Sequence, residues 1–334
     1  MSNHVPSSEE LEILALVQAR IVSEIFAQRS AKTIRAGIDR LVMKGGMAMR
    51  EAHNQYRHTS DIDLDADPDQ LSLEALQKIV EKALKESFAD DDFKEVTITT
   101  PKMTDTVARW KWKIVLENGM EIVGKVECSF RNNVEPSSFR TIEHDDGVAI
   151  PVYHDEFLLM SKAKALYTRK EGVLRDAADL YVLFSAGVMP SPAQMLKIWN
   201  VEEIERLHSL VVRQARSQDD GWILQRLDKW GTDEKRFNDQ ILAFWGNDNP
   251  PTDMEWMEMC LFVAEKLEVM WGQALQENAL QNDEGAGSVK VSIDSIKKNH
   301  GNPKGKPLEA KTAKDKIKGA GTATKTGKGM NTCG

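Results

Sequence analysis

The pattern of apolar and polar positions divides the chain into a helical N-terminal part, a middle part with strands, and a helical C-terminal part. Apolar residues recur at three- and four-residue spacing from Leu11 to Phe26, which predicts helix over residues 8–38 and a further helix from Ala31 to about Leu41. The pattern then predicts a short helix over 46–56, a strand over 61–65 and a helix over 71–88.

Strict alternation predicts three strands in the middle of the chain, over residues 95–100, 107–116 and 121–130. Asn118-Gly119 lies between the last two and is a strong hairpin signal. Residues 132–156 are predicted to form a loop and one short strand that ends at Tyr153. Helices are predicted over 155–170, 175–186 and 192–280.

The last helical part carries most of the tryptophans. At helical spacing these side chains are predicted to lie in the core, although exposed aromatic rings can also stack on unpaired bases. The six residues are Trp199, Trp222, Trp230, Trp245, Trp256 and Trp271.

Composition narrows the protein class. A chain of 334 residues forms one large or two medium domains. It contains no run of about 18 apolar residues, so no membrane span is expected. Cys128, Cys260 and Cys333 are far apart, which argues against a disulfide framework and a structural zinc site. A reducing cytoplasm suits such a chain.

Charge is distributed unevenly. The segment from Lys297 onward contains ten Lys and two acidic residues and carries a charge of about +8. Because the whole chain carries −8, residues 1–296 carry about −16. The tail has too few apolar residues to form a core, and we predict that it is disordered. It could contact RNA or DNA phosphates, or it could be a solubilising tail or a cloning remnant.

Residues 44–65 carry the clearest chemistry. Gly45-Gly46 precedes a predicted helix, and glycine at a helix N-terminus lets backbone N–H groups approach a phosphate closely. Asp61 and Asp63 alternate with apolar residues in a predicted strand, so their carboxylates share one face about 6–7 Å apart. Oxygen ligands of this kind suit Mg²⁺. The stretch therefore predicts a place where a triphosphate and Mg²⁺ meet.

Three more ionisable groups are candidates. Glu127 lies in the third predicted strand and is either a solvated acidic residue or the third carboxylate that a two-metal site needs. Lys162 falls on a partly apolar helical stripe, although Lys is rarely buried without a partner. Asp176 and Asp179 share a face of the next helix, so a Lys–Asp pair could join the two helices or reach the triphosphate.

These motifs together resemble a known superfamily. Gly45-Gly46, Arg57, Ser60 and Asp61-x-Asp63-Leu64 resemble the first motif of the DNA polymerase β-like nucleotidyltransferases, in which Gly-Ser is commoner than Gly-Gly. The whole run is most similar to the AbiEii/AbiGii toxin branch, which has Lys-Gly-Gly before a small and an apolar residue. That branch also shows the later order found here: a strand Glu, then Lys162, Arg169 and Arg175-Asp176-x-x-Asp179-Leu180.

The resemblance implies a function and a set of site residues. It implies a toxin of a toxin–antitoxin or phage-defence system that transfers a nucleotidyl group from an NTP with Mg²⁺ (or Mn²⁺), with RNA, and tRNA as one candidate, as acceptor and an antitoxin as partner. Metal would be held by Asp61, Asp63 and Glu127. Triphosphate would be held by Lys44, Gly45, Gly46, Arg57, Ser60 and Lys162. The catalytic set would comprise Asp61, Asp63, Glu127, Lys162 and one of Asp176 and Asp179.

The predicted fold class is α+β, with a small mixed sheet, flanking helices and an all-helical C-terminal part. The predicted divisions are an N-terminal helical segment (1–40), a nucleotidyltransferase core (41–155), a helical domain (156–282) and the basic tail (283–334). Two alternative functions remain open at this point. One is AMP transfer to a protein hydroxyl or nucleotidylation of a small molecule, and the other is a non-catalytic nucleotide-binding module.

Overall fold

A single mixed sheet organises the described part of the chain. The computed structural model describes residues 6–37, 40–53, 58–89, 93–131, 134–144, 146–168, 173–216 and 253–285. The strand order across the sheet is β3-β4-β5-β2-β1-β7-β6. Two neighbouring pairs, β2–β5 and β1–β7, are parallel and the other four are antiparallel. The strands are β1 (Leu41–Lys44), β2 (Asp61–Ala66), β3 (Glu95–Thr104), β4 (Val107–Val115), β5 (Glu121–Ser129), β6 (Phe139–Glu143) and β7 (Ala149–Tyr153).

Helices precede, interrupt and follow the strands, which confirms the predicted α+β class with a mixed sheet. Their starts follow sequence signals: Ser7, Ser72 and Ser191 cap α1, α4 and α7 by accepting a backbone hydrogen bond. The helices are α1 (Ser8–Ala27), α2 (Ala31–Arg35), α3 (Gly45–Ala52), α4 (Leu73–Ser87), α5 (Asp155–Thr168), α6 (Val173–Ser185), α7 (Pro192–Ile198), α8 (Val201–Arg216) and α9 (Asp253–Gly285).

The two faces of the central strands differ in chemistry. Ile62 and Leu64 of β2 and Trp110 of β4 are fully buried and belong to the main hydrophobic core, which also includes buried apolar residues of α1 and α4. Phe88 at the end of α4 packs against Trp112, with ring centroids 5.8 Å apart. The opposite face of β2, β4 and β5 carries the charged side chains, as the alternation in the sequence predicts.

Two strands were not predicted. The second predicted helix was expected to reach Leu41, but α2 ends at Arg35, and Gly37 with φ +66° follows it. Leu41 instead begins β1, which lies between β2 and β7 in the middle of the sheet. β6 was likewise expected to be loop. A four- or five-residue strand gives little periodicity of its own, and pairing with its neighbours decides its conformation.

The C-terminal helices bury aromatic side chains. Trp199 and Trp271 are both buried, and their ring centroids lie 6.2 Å apart, which confirms the core prediction for these two. The side chains of the other four tryptophans named above lie outside the described residues, as do residues 217–252.

The chain divides into two compact units, Met1–Asn282 and Asp283–Gly334. The predicted basic tail falls in the second unit, and from residue 286 onward it lies outside the described residues. No helix in the described ranges combines the length and apolar character that a bilayer crossing requires.

Candidate active site

An acidic row lies on the open face of the central strands. Asp61, Asp63 and Asp65 alternate along β2 with buried apolar residues, so all three belong to the face opposite the core. β5 runs parallel to β2, with Glu127 as the Cα partner of Asp63. The prediction that Asp61 and Asp63 share a face, with Glu127 beside them on a neighbouring strand, is confirmed as geometry.

The glycine pair packs directly against this row. Gly45 has φ +71°, a left-handed conformation that favours glycine, and it begins α3. A Cβ atom at Gly45 would lie 2.5 Å from Oδ2 of Asp63, so only glycine fits at this distance. Lys44 is the N-cap residue of α3 and makes no side-chain cap hydrogen bond within the described residues. The first N–H groups of α3 therefore lack a side-chain cap beside the Asp63 carboxylate.

The environment of Asp63 disfavours its negative charge. Burial raises the pKa of its carboxyl, and the neighbouring charges of Asp61 and Glu127 raise it further. Lys44 and Lys125 act in the opposite direction, without cancelling the rise. Paired carboxylates of this kind gain from an additional positive charge, which a divalent cation can supply.

Two basic residues that were not predicted lie on the strands beside the acidic row. Lys125 is the Cα partner of Asp61, and its Nζ lies 3.1 Å from Oδ2 of Asp61 and 4.0 Å from Oε2 of Glu127. Arg109 of β4 is the Cα partner of Glu127 and contacts the same Oε2 through Nε at 2.7 Å and Nη2 at 2.5 Å. Alternation indicated that the charged residues of β4 and β5 share a face, but which of them pair depends on the register of the strands.

The three predicted metal ligands do not converge in this structure. Among the described residues, no three Asp, Glu, His or Cys side chains are grouped so that they could hold one ion. Glu127 is instead directed to Arg109, while Asp61 is directed to Lys125. Asp61 and Asp63 still offer the oxygen ligands that Mg²⁺ prefers, and the raised pKa of Asp63 fits a site that a cation completes. The two aspartates therefore fit the metal, while Glu127 fits only with a different side-chain orientation.

Lys44 and Asp65 form a second pair on the same face. The Lys44 ammonium contacts the Asp65 carboxylate, and the Tyr153 hydroxyl donates a hydrogen bond to Oδ2 of Asp65 at 3.0 Å. Lys44, predicted to contact triphosphate, thus has a carboxylate partner in this structure. Asp65 and Tyr153 were not among the predicted site residues, although the two-residue period of β2 places Asp65 in line with Asp61 and Asp63.

The remaining predicted triphosphate ligands differ in how well they are placed. Ser60 is exposed just before β2, and its hydroxyl lies 3.2 Å from Oδ1 of Asp61. Gly46 is buried in the first turn of α3. Arg57 lies outside the described residues, and so does Arg169 of the later motif.

Lys162 is buried together with both candidate aspartates. Lys162 belongs to α5, and its Nζ lies 2.5 Å from Oδ2 of Asp179 and 3.5 Å from Oδ1 of Asp176. Both aspartates belong to α6. Lys162 is 6% exposed and the two aspartates are fully buried. The predicted Lys–Asp pair between the two helices is therefore confirmed, and it involves both aspartates.

Comparison with known proteins gives both structural and family matches. The crystal structure of JHP933 from Helicobacter pylori is 17% identical with a TM-score of 0.49, over 84% of this chain and 100% of that chain. MenT4, a nucleotidyltransferase toxin from Mycobacterium tuberculosis H37Rv, is 17% identical with a TM-score of 0.47, over 86% of this chain and 94% of that chain. Similarity at this level carries no information about the site. No curated protein matches the sequence.

The family match rests on sequence. Residues 33–241 match the family described as Nucleotidyl transferase AbiEii toxin, Type IV TA system. The match covers more than half of the chain and includes the acidic row, the glycine pair and the Lys162 cluster. The chain therefore belongs to the AbiEii family of nucleotidyltransferase toxins of type IV toxin–antitoxin systems.

Proposed function

We propose that this nucleotidyltransferase is Mg²⁺-dependent and transfers a nucleotidyl group from an NTP to a hydroxyl of RNA, with the 3′ end of tRNA as the first candidate acceptor. The observation that carries the proposal is the close approach of Asp63 to Gly45, where an added Cβ atom would lie 2.5 Å from Oδ2. The start of α3, which has no side-chain cap and suits phosphate, therefore lies beside Asp61 and Asp63. The raised pKa of Asp63 shows that its negative charge is disfavoured, and a bound cation would offset this.

Asp61 and Asp63 would hold the metal, while Glu127 would stay in contact with Arg109. When bound, Mg²⁺ supplies positive charge next to the α-phosphate and the leaving pyrophosphate. The N–H groups of Gly45 and Gly46 would hold phosphate oxygens at the start of α3, because a helix N-terminus favours negative charge. Ser60 beside Asp61, together with Arg57 and Lys44, would complete the triphosphate site.

The chain's own residues then align and deprotonate the acceptor. The acceptor hydroxyl attacks the α-phosphorus in line with the bond to the β-phosphate, a new P–O bond forms, and pyrophosphate leaves. Glu127 would accept the hydroxyl proton through Oε1, because its contacts with Arg109 and Lys125 are made through Oε2. Arg109 would thereby orient the base.

Lys162 would contact the triphosphate from α5. Because its ammonium contacts Asp176 and Asp179 in this structure, that role requires the ammonium to move from the aspartates toward the nucleotide. The purely structural alternative keeps Lys162 as the link between α5 and α6. A variant that restores stability without restoring transfer distinguishes the two roles.

The partners follow from the family and the chemistry. Membership of a type IV toxin–antitoxin family implies an antitoxin partner and an NTP substrate. The proposed acceptor is tested by incubating the protein with each α-labelled NTP, total RNA and cell lysate, and then separating RNA, protein and small molecules. The proposal expects label in RNA. Label only in protein or in a small molecule would keep the nucleotidyl chemistry and overturn the RNA acceptor.

A further inference from the structure

A row of basic side chains extends the open sheet face away from the aspartates. Thr99 of β3, Lys111 of β4, Lys125 of β5 and Asp61 of β2 are successive Cα partners across four strands. Cα partners in a sheet share one face. The adjacent rows add Arg109 and Lys102 on one side and Lys113 on the other. We call this surface the basic face, and it comprises Lys102, Arg109, Lys111, Lys113 and Lys125.

The five side chains of the basic face differ in whether they form ion pairs. Lys125, Arg109 and Lys113 contact Asp61, Glu127 and Glu121, respectively. Lys111 and Lys102 are exposed and form no ion pair with any described residue. Two cations therefore face solvent two and three strands away from β2, which carries the acidic row, and their charge is available to a ligand.

A cleft connects Lys111, one of the two free cations, to the acidic row. It has a volume of about 380 Å³ and is bounded by Asp61 and Ser60 at one side and by Lys111 and Lys113 at the other. Thr97 and Thr99 also line the cleft, together with Trp112, Val123 and Gly124. Cationic and hydroxyl groups of this kind are the usual protein contacts to phosphodiester oxygens. The volume lies within the range of small-ligand sites, about 300–1,000 Å³.

The positive charge of this face is local. Residues 1–296 carry about −16 in all, and three of the five basic side chains are paired with carboxylates, so the unpaired positive charge of this face comes from Lys102 and Lys111. Glu95 and Glu121 lie at the far end of the face, two rows beyond Lys111. Among the described side chains on this face, Val123 is the exposed large apolar residue, at 57%. A protein partner would require a larger apolar centre, whereas a polyanion requires cations and hydroxyls.

We propose that the basic face binds the phosphodiester backbone of the RNA acceptor and leads its terminal hydroxyl to Asp61. This inference rests on the proposed function, and it adds the surface that the acceptor follows. Lys111 contacts a phosphate at the cleft, and Lys102 contacts one nearer the sheet edge. The triphosphate occupies the opposite side of the acidic row, at Gly45 and α3.

The test compares two double variants with matched charge changes. Lys102→Ala with Lys111→Ala removes the two free cations of the basic face. Lys78→Ala with Lys85→Ala removes two exposed lysines of α4, the helix on the opposite face of the sheet. The probe is a fluorescein-tagged single-stranded RNA with the 3′-end sequence of the RNA that the wild type modifies. Its binding is measured by fluorescence anisotropy between 50 and 200 mM salt.

We expect a specific change in salt dependence. Each lost phosphate contact reduces the slope of log affinity against log salt by about 0.7, so the basic-face variant loses about 1.4 in slope and about 25-fold in affinity at 0.1 M salt. Its KM for RNA rises by a similar factor, with the KM for NTP unchanged. The α4 variant behaves like the wild type.

The outcomes separate this inference from the proposed function. If the wild type labels RNA and both double variants bind and label it equally well, the basic face is not the acceptor surface, while the proposed function stands. If the folded wild type labels protein and leaves RNA unlabelled, both are overturned. Loss of RNA affinity in the basic-face variant alone, with its melting temperature unchanged, supports the inference.

Discussion

Asp63 is the residue at which backbone geometry and electrostatics meet. A Cβ atom at Gly45 would lie 2.5 Å from its Oδ2, its neighbours Asp61 and Glu127 carry the same charge, and burial reduces its hydration. Burial and the two like charges make ionised Asp63 costly in the absence of a cation. A catalytic site that is completed by its ligand has this character, because its charges are arranged for the bound state rather than for the free one.

Asp63→Asn should stabilise the metal-free protein at neutral pH. Because the pKa of Asp63 is raised in the folded state, the ionised wild-type side chain costs stability above that pKa, and this cost is absent below the unfolded value of about 3.9. We expect the melting temperature of the variant to exceed that of the wild type by a few degrees at pH 7, since about 1 kcal/mol corresponds to about 2–4 °C.

The difference should shrink as the pH falls toward 4, and differential scanning fluorimetry across this range measures it. Added Mn²⁺ should raise the melting temperature of the wild type and leave that of the variant nearly unchanged, because binding to the folded state stabilises it. A variant that melts several degrees below the wild type at pH 7 would mean that the Asp63 carboxylate stabilises the fold without a bound cation.

Lys162→Met should be costly for a different reason. The substitution removes an ammonium that contacts two buried carboxylates, and breaking a buried ion pair costs about 3–5 kcal/mol. Adding Asp179→Asn removes one of those charges and should restore part of the free energy of unfolding, as measured in urea.

Transfer activity of the double variant, compared with that of Asp179→Asn alone, then decides the role of Lys162. If Lys162 contacts the triphosphate, stability returns while transfer stays at least about a hundredfold below that of Asp179→Asn, as for the loss of one preorganised electrostatic group. Recovery of both quantities together would restrict Lys162 to linking α5 with α6.

At the scale of elements, the glycine turn between β1 and α3 ties the sheet to the site. Gly45→Ala combines a left-handed backbone strain of about 1–2 kcal/mol with a clash against Asp63. Gly187→Ala is a matched control, because Gly187 has φ +80° and an added Cβ atom would meet no described atom within 4 Å. We expect comparable backbone strain in both variants and loss of the Mn²⁺-dependent stabilisation in Gly45→Ala alone.

Both variants are compared by melting temperature with and without Mn²⁺. Equal metal responses in the two variants would show that the close approach of Gly45 to Asp63 is not needed for the site.

Elements with strong periodicity were predictable, and those fixed by pairing were not. Alternation identified β2, β4 and β5 and the shared face of Asp61 and Asp63, whereas β1 is four residues long and depends on its neighbours. The ion pair between Arg109 and Glu127 depends on hairpin register. A two-residue loop at Asn118-Gly119 would place Trp110 opposite Glu127, but Leu116 pairs with Met120, which lengthens the loop to three residues. Burial of Trp110 on the other face selects that register.

The Lys162 cluster was predicted only in part. Helical spacing indicated that Asp176 and Asp179 share a face, and the apolar surroundings of Lys162 indicated a buried partner. Which aspartate that partner is depends on how α5 and α6 pack, and the structure has Lys162 in contact with both. No local feature of the sequence specifies this packing.

At the scale of the whole molecule, family membership leads to a growth phenotype. Induced expression of the wild-type chain alone should slow bacterial growth, because a nucleotidyltransferase toxin acts without its antitoxin. Asp63→Asn should not slow growth, since it is expected to fold and to lack transfer. Growth curves with immunoblots for equal protein levels measure this. Normal growth with abundant wild-type protein would contradict toxicity under these conditions and leave the transfer chemistry untouched.

The central claim is that Asp61 and Asp63, beside the Gly45 turn, form the site at which the nucleotidyl group of an NTP is transferred to an acceptor. The most direct measurement compares α-labelled with γ-labelled NTP, incubated with Mg²⁺ and total RNA, for the wild type and Asp63→Asn. The account predicts that the wild type attaches the α-label to RNA and releases the γ-label as pyrophosphate, while Asp63→Asn reduces attachment by about 10²–10³-fold. Attachment of the γ-label, or unchanged attachment of the α-label by the folded variant, would contradict it.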